Sequence, residues 1–293
     1  MPLAEQTDPI EAGSTSAAQR YSPRPLTDGE RWTADELSKL RAKHYRPTAW
    51  AAFLGSSLKR SNVNRSERPL MARQARAWGA GGAVAWSVAC AAAQRRGDFR
   101  LRLMPGLVWW FGVWQMLDWH LGMAEGGDGD PRERLSPADA ITLARFWLVP
   151  AALGTARSSR GLPTVVALGA LSDWLDGNLG RRHGRTRLGR DLDTTADLAF
   201  VTTVAIAARS AGRIPPLGFS VLIARQSVGL AVSLGAVIGR ARRPAVRARP
   251  WGAALRLSGL AICTTGAMRF GTLLLIAGSI VPPRSTAPQL SPA

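Results

Sequence analysis

From Ala75 to Pro283 the chain is a succession of apolar blocks divided by short Arg-rich or Gly/Pro-rich pieces, and that rhythm constrains its fold most. The blocks run 77–93, 103–122, 140–156, 162–180, 192–211, 216–239 and 252–281, the last long enough for two short helices hinged near Met268 and Arg269. A helix crossing a bilayer needs about 20 mostly apolar residues. In hydrocarbon only helices and closed barrels satisfy their own backbone. The pattern predicts an all-α, polytopic membrane helical bundle over 136–283, with an extra hydrophobic helical pair at 75–135. Residues 1–74 are polar, and 284–293 read as a disordered tail.

Charge sharpens this picture. Lys and Arg number 38 against 20 Asp and Glu, a net charge of +18. Clustered cations can neutralise nucleic-acid phosphates, but here they sit at block edges, as in "RRHGRTR" (181–187) and "GRARRPAVRARP" (239–250). That placement fits the cytoplasmic loops of a membrane protein, so no nucleic-acid partner is expected. With 181–190 and 239–250 cytoplasmic, "QRRGDFRLR" (94–102) would lie outside, against the positive-inside rule. Either the first two blocks form a shallow or re-entrant pair, or the local bias is overridden. Trp109, Trp110, Trp114 and Trp119 read as an interfacial aromatic belt. Cys90 and Cys263 lie in apolar blocks without metal-ligand spacing and read as packing residues.

The N-terminus shows no signal peptide and reads as a disordered lead. Residues 33–60 suit a helix capped by Thr33 with Glu36 three residues on, and Pro47 would break it. Its Trp, Phe and basic residues suit a lipid surface, and a solvated helical tail is the alternative.

The chemistry is concentrated in "LSDWLDGNLGRRHGRTRLGRDLDTTADLAF", residues 171–200. Asp173, Asp176, Gly177, Gly180 and Arg181 recur at three- and four-residue intervals and line one helix face; Gly189, Asp193 and Asp197 do so every four residues on the next helix. A short hairpin connection would present the two faces to each other, converging four carboxylates at the cytoplasmic boundary. Like charges so close raise one another's pKa. A hard divalent cation, Mg²⁺, Mn²⁺ or Ca²⁺, removes that cost, and four carboxylates can hold two ions. The glycines leave room for a bulky ligand, and Arg181 offers a planar fork for phosphate. Asp191 falls off the face and reads as solvated or capping, while Arg182, Arg185 and Arg187 read as topology and headgroup charges.

The arrangement Asp173-x2-Asp176-Gly177-x2-Gly180-Arg181-x7-Gly189-x3-Asp193-x3-Asp197 resembles the signature of the CDP-alcohol phosphatidyltransferases, the phosphatidylglycerophosphate-synthase-like and phosphatidylinositol-phosphate-synthase-like members included. Gly180 stands where Ala is usual, and the connection is one residue short. "SPADAITLARFWLVPAAL" (136–153) is similar to the family's first span, with Asp139 where Asn is usual. "LIARQ" (222–226) is similar to a segment of the fourth span, while "GAALR" (252–256) lacks the two lysines that usually open the fifth.

The resemblance implies a six-helix core and an integral protein of the plasma membrane with its site on the cytoplasmic side. It also implies an enzyme of phospholipid biosynthesis: an alcohol hydroxyl attacks the β-phosphorus of a CDP-diacylglycerol-type donor and CMP leaves. Asp173, Asp176 and Asp193 would hold two Mg²⁺ or Mn²⁺ ions, and Asp197 would be ligand or general base. Gly177 and Arg181 would hold the nucleotide phosphates, with Gly180 and Gly189 allowing close approach. Arg145 and Arg225, charges inside apolar blocks, face a bundle interior or cavity. They would touch phosphate on acceptor or donor, or else pair structurally with the aspartates. A homodimer is a further expectation. The rival readings are a protein that binds or transports divalent cations, and a degenerate family member acting as scaffold.

Overall fold

In the computed structural model the described residues are 28–96, 101–126, 130–183, 186–238, 246–247, 250–281 and 284–285. The expected lead at 1–19 and most of the tail fall outside them. The described chain is all-α but for one pairing of two-residue strands, β1 (Val246–Arg247) with β2 (Arg284–Ser285). Among the described residues, no helix is both long and apolar enough to cross a membrane.

Two helices precede the apolar blocks, α1 (Asp28–Ala42) and α2 (Pro47–Glu67). The break falls at Pro47, the first residue of α2, whose missing N–H suits that position. Thr33 is not the cap expected of it. It lies a turn inside α1, its hydroxyl donating to Gly29 O at 2.7 Å, because the helix begins earlier than the capping-box pattern suggests.

The extra pair is α3 (Pro69–Arg96) and α4 (Leu103–Trp119). Within it the expected aromatic belt is overturned for Trp109 and Trp110. Trp110 is 3% exposed and stacks on Trp147 at 4.3 Å between ring centroids, and Trp86 stacks on Trp147 at 5.4 Å. Trp109 donates its indole N–H to Phe146 O at 2.9 Å. These rings face the following block, so they pack helix on helix.

The 140–156 block is not one helix but two, α5 (Pro137–Arg145) and α6 (Leu148–Gly154). Pro150 explains the break. It has no N–H for the carbonyl four residues back, that of Phe146, and this is the carbonyl Trp109 uses.

The remaining helices are α7 (Gly161–His183), α8 (Arg187–Ser210), α9 (Pro216–Ile238), α10 (Pro250–Thr264) and α11 (Met268–Ile280). The expected hinge in the last block is real: Gly266, at φ 105°, turns α10 into α11. The two then run backbone to backbone. A Cβ on Gly259 would stand 2.7 Å from Gly271 O, and one on Gly278 2.8 Å from Gly252 O.

Helix α8 is the spine. Leu188, Leu192 and Ala196, four residues apart, are buried with side chains of α3, α4 and α5; farther along, Phe200, Val204 and Ala208 are buried with α6, α7, α9, α10 and α11. Phe200 lies where a Cβ on Gly169 of α7 would be, so one glycine seats one ring.

Candidate active site

Local chemistry fixes where α5 and α8 begin. Ser136 and Asp139 form a reciprocal capping box at the start of α5, with Asp139 N to Ser136 Oγ at 3.1 Å and Ser136 N to Asp139 Oδ2 at 2.9 Å. Thr186 caps α8, accepting from Gly189 N at 2.8 Å. Its hydroxyl donates to Asp139 Oδ1 at 3.0 Å, tying the two starts together. A Cβ on Gly189 would overlap that same carboxylate oxygen. Gly189 therefore makes room for Asp139, in addition to any room it leaves a ligand.

In the α7–α8 hairpin the two aspartate faces converge across an arginine from α5. Helix α5 packs against both, whereas α7 and α8 touch sparingly. The reason is Arg145, 1% exposed at the end of α5. Its guanidinium reaches Asp193 Oδ1 at 3.0 Å and Asp173 Oδ1 at 3.5 Å, and forms shorter pairs with Asp176 and Asp197. Its Nε donates to Ser172 Oγ at 3.0 Å. Like-charged faces need a cation between them to approach, and α5 carries it in. All four expected carboxylates are thus brought together, with Arg145 among them.

The four are not equivalent. Asp176 is 5% exposed and accepts from Thr142 Oγ1 at 3.1 Å. The side chains of Asp173 and Asp197 are 48% and 52% exposed, so they form the open side. Next to Asp176 and Asp193 a small open cleft is lined by Ala138, Asp139, Thr142, Thr186 and Arg190, among others.

The residues fit a hard divalent cation. Asp173, Asp193 and Asp197 can each bring one carboxylate oxygen to within 4.8 Å of the others. Four carboxylates against one guanidinium leave three formal negative charges in a half-buried place, which oxygen-preferring cations such as Mg²⁺ or Mn²⁺ would offset.

Other expected site residues lie elsewhere or beyond description. Gly177 and Gly180 are buried on α7, and the side chain of Arg181 falls outside the described residues. Arg225 sits half-buried on α9, its guanidinium lying 3.7 Å from where a Cβ on Gly229 would be. Arg187, expected as a headgroup charge, instead turns inward: its N–H donates to Glu125 O at 3.0 Å and its guanidinium has a buried nitrogen. Asp191 is exposed, as expected.

Sequence reasoning missed Thr142, Ser172 and the Thr186 cap. Two had a signal: Thr142 precedes Arg145 by three residues on one face, and Thr186 stands three before Gly189 where a helix starts. Ser172 had none, since nothing local marks it as the neighbour of an arginine 27 residues earlier.

The family model for CDP-alcohol phosphatidyltransferase matches residues 135–283, which span the capping box of α5, Arg145, both aspartate helices and the α10–α11 pair. No curated protein and no solved structure matches the chain. With its signature aspartates gathered on α7 and α8 inside that span, the chain belongs to the CDP-alcohol phosphatidyltransferase family, whose members transfer a phosphoalcohol group from a CDP-alcohol.

Proposed function

We propose that the protein transfers a phosphatidyl group from a CDP-diacylglycerol-type donor to an alcohol acceptor, releasing CMP, at a site opening on the cytoplasmic face of a membrane. The observation that carries this is the gathering of Asp173, Asp176, Asp193 and Asp197 from two helices around one point, beside a small open cleft. Divalent cations bound there would neutralise a pyrophosphate and stabilise charge in the in-line transition state.

The chain's own residues take the remaining roles. Asp197, on the open side, is placed to accept the proton of an incoming hydroxyl. Asp176, buried and held by Thr142, is a fixed ligand. Gly177 and Gly180 keep α7 narrow for the nucleotide, Gly189 does so on α8, and Arg181 and Arg225 are assigned to phosphate. Arg145, buried among the carboxylates, holds them at working distance.

Three features support a membrane setting. The family span is rich in apolar helices, and residues 216–238 carry one charge, Arg225. Large apolar side chains stand outward: Val108 is 72% exposed, Ile280 70%, Leu273 65%. Arginine concentrates at the helix connections, as in a cytoplasmic margin.

The test is release of CMP from CDP-diacylglycerol by the purified chain, with Mn²⁺ and with chelator, across acceptors such as glycerol 3-phosphate and inositol phosphate. Activity that needs the metal and disappears in an Asp173→Asn/Asp176→Asn double variant supports the proposal. Equal CMP release from that variant and the native chain refutes it. A second reading, a degenerate family member with a scaffold role, draws on Arg145, which already reaches all four carboxylates. A chain that neither releases CMP nor binds Mn²⁺ would favour it.

A further inference from the structure

Helix α2 carries one stripe with two different halves. Trp50, Leu54, Ser57, Ser61 and Asn64 follow at four- and three-residue steps, so they share one side of the helix. The C-terminal half of the stripe lies on the end of α4. Ser61 is fully buried and donates to Asp118 O at 3.2 Å; Asn64 is 6% exposed and fills the space beside Gly122. Arg65 clamps this contact through the buried Asp118 carboxylate, whose hydrogen bonds raise the guanidinium above its usual value. Arg68 adds a bond to Leu121 O at 3.1 Å.

The N-terminal half turns the same way but leaves its large apolar side chains partly exposed, the Trp50 ring edge-on to Phe53 at 5.9 Å. There the small polar side chains give way to Trp50, 40% exposed, and Leu54, 43% exposed, with Leu58 at 44% flanking them. Helix α1 does not fill the gap. It covers the neighbouring side, where Ala49 is buried and the Arg60 guanidinium lies 5.1 Å from the Trp32 ring centroid. Between Glu36 and Glu67 the chain carries seven Lys and Arg and no acid; of these Lys39, Lys43, Arg46 and Lys59 are exposed, Lys39 paired with Glu36.

The covered half also locates the helix. The α4 end that it grips leads to Glu125, whose carbonyl accepts from Arg187 at the start of α8, two turns before Asp193. Helix α2 thus lies at the aspartate end of the bundle.

We infer that the Trp50–Leu54–Leu58 face of α2 is an interfacial anchor that seats in the headgroup layer of an anionic bilayer beside the active-site mouth, its exposed cations pairing with lipid phosphates. The occupant is lipid because an acid-free, cationic segment repels a second copy of a chain of net charge +18 while it attracts an anionic surface. The inference rests on the membrane reading above. It adds a function for residues outside the span that the family model matches.

The test uses the full chain reconstituted in vesicles of phosphatidylcholine with phosphatidylglycerol. Leu54→Cys, or in a second protein Ala52→Cys on the opposite side of α2, carries an environment-sensitive fluorophore. The native thiols of Cys90 and Cys263 are buried, and the chain without either substitution gives their background. Quenching by lipids brominated near the headgroup is expected to be about threefold stronger at position 54 than at 52. It is expected to weaken in pure phosphatidylcholine and in a Lys43→Gln/Arg46→Gln/Lys59→Gln variant. Equal access of aqueous iodide to both positions, in a chain that resists carbonate extraction, overturns the anchor and leaves the membrane reading standing. A position-54 label shielded from both quenchers means that protein covers the face, and also overturns it. Extraction of the whole chain by carbonate overturns both.

Discussion

Arg145 is the residue on which the candidate site turns. It is buried, and its guanidinium is shared among carboxylates of two helices that would otherwise repel. Removing one partner of a buried ionic cluster strands the others, at about 3–5 kcal/mol. Arg145→Met is therefore expected to lower the unfolding temperature strongly in chelator and to regain more stability from Mn²⁺ than the native chain does. Thermal unfolding with and without metal checks this; an equal metal response in both proteins would show that cations and guanidinium do not share the carboxylates. Asp197→Ala should reduce CMP release about 10²–10⁴-fold with the fold intact, the usual worth of a positioned acid–base group. Activity near the native level would end its role as base. Gly189→Ala tests the joint between helix starts. The added methyl must displace the Asp139 carboxylate from Thr186, so circular dichroism should show a less stable protein even without substrate. Gly189, Asp193 and Asp197 were legible as a four-residue series. Their relation to Asp139 was not, because a hydrogen bond across 47 residues leaves no local pattern.

At the scale of elements, α8 serves both the site and the core. Its first turns carry Asp193 and Asp197 and its later turns carry Phe200, so loosening the second loosens the first. Phe200→Ala opens a cavity beside Gly169 and should cost about 3–5 kcal/mol, read from denaturant unfolding. An effect below about 1 kcal/mol would mean that α7 collapses onto α8 instead. The apolar blocks foretold most of these helices, since length and composition are local properties. They missed the division of 140–156, where Pro150 and a distant indole share one carbonyl. They also misjudged Trp109 and Trp110, because composition cannot separate a ring facing lipid from a ring facing another helix. The carboxylates of α7 and α8 do converge, but a short connection could not show that α5 would insert its arginine between them.

For the whole molecule, the family span and the preceding α1–α4 are joined through buried contacts: the Trp86–Trp147–Trp110 stack and the bond from Arg187 N to Glu125 O. The two parts are expected to unfold together. If the chain is held in a bilayer by its outward apolar faces, alkaline carbonate should leave it in the membrane fraction while high salt removes nothing. Release by carbonate would contradict a membrane-spanning arrangement.

The sequence alone determined the helical class, the order of blocks and the two carboxylate series, because periodicity and charge placement follow from the identity of near neighbours. It also determined the family, since the signature is a matter of residue types at set intervals. Only the tertiary structure decided that Arg145 joins the aspartates, that Gly189 yields space to Asp139, and that half of one stripe on α2 is buried while the other half is partly exposed. Each depends on which residues far apart in the chain meet in space, and the energy of such meetings is set by burial and charge that no short segment contains.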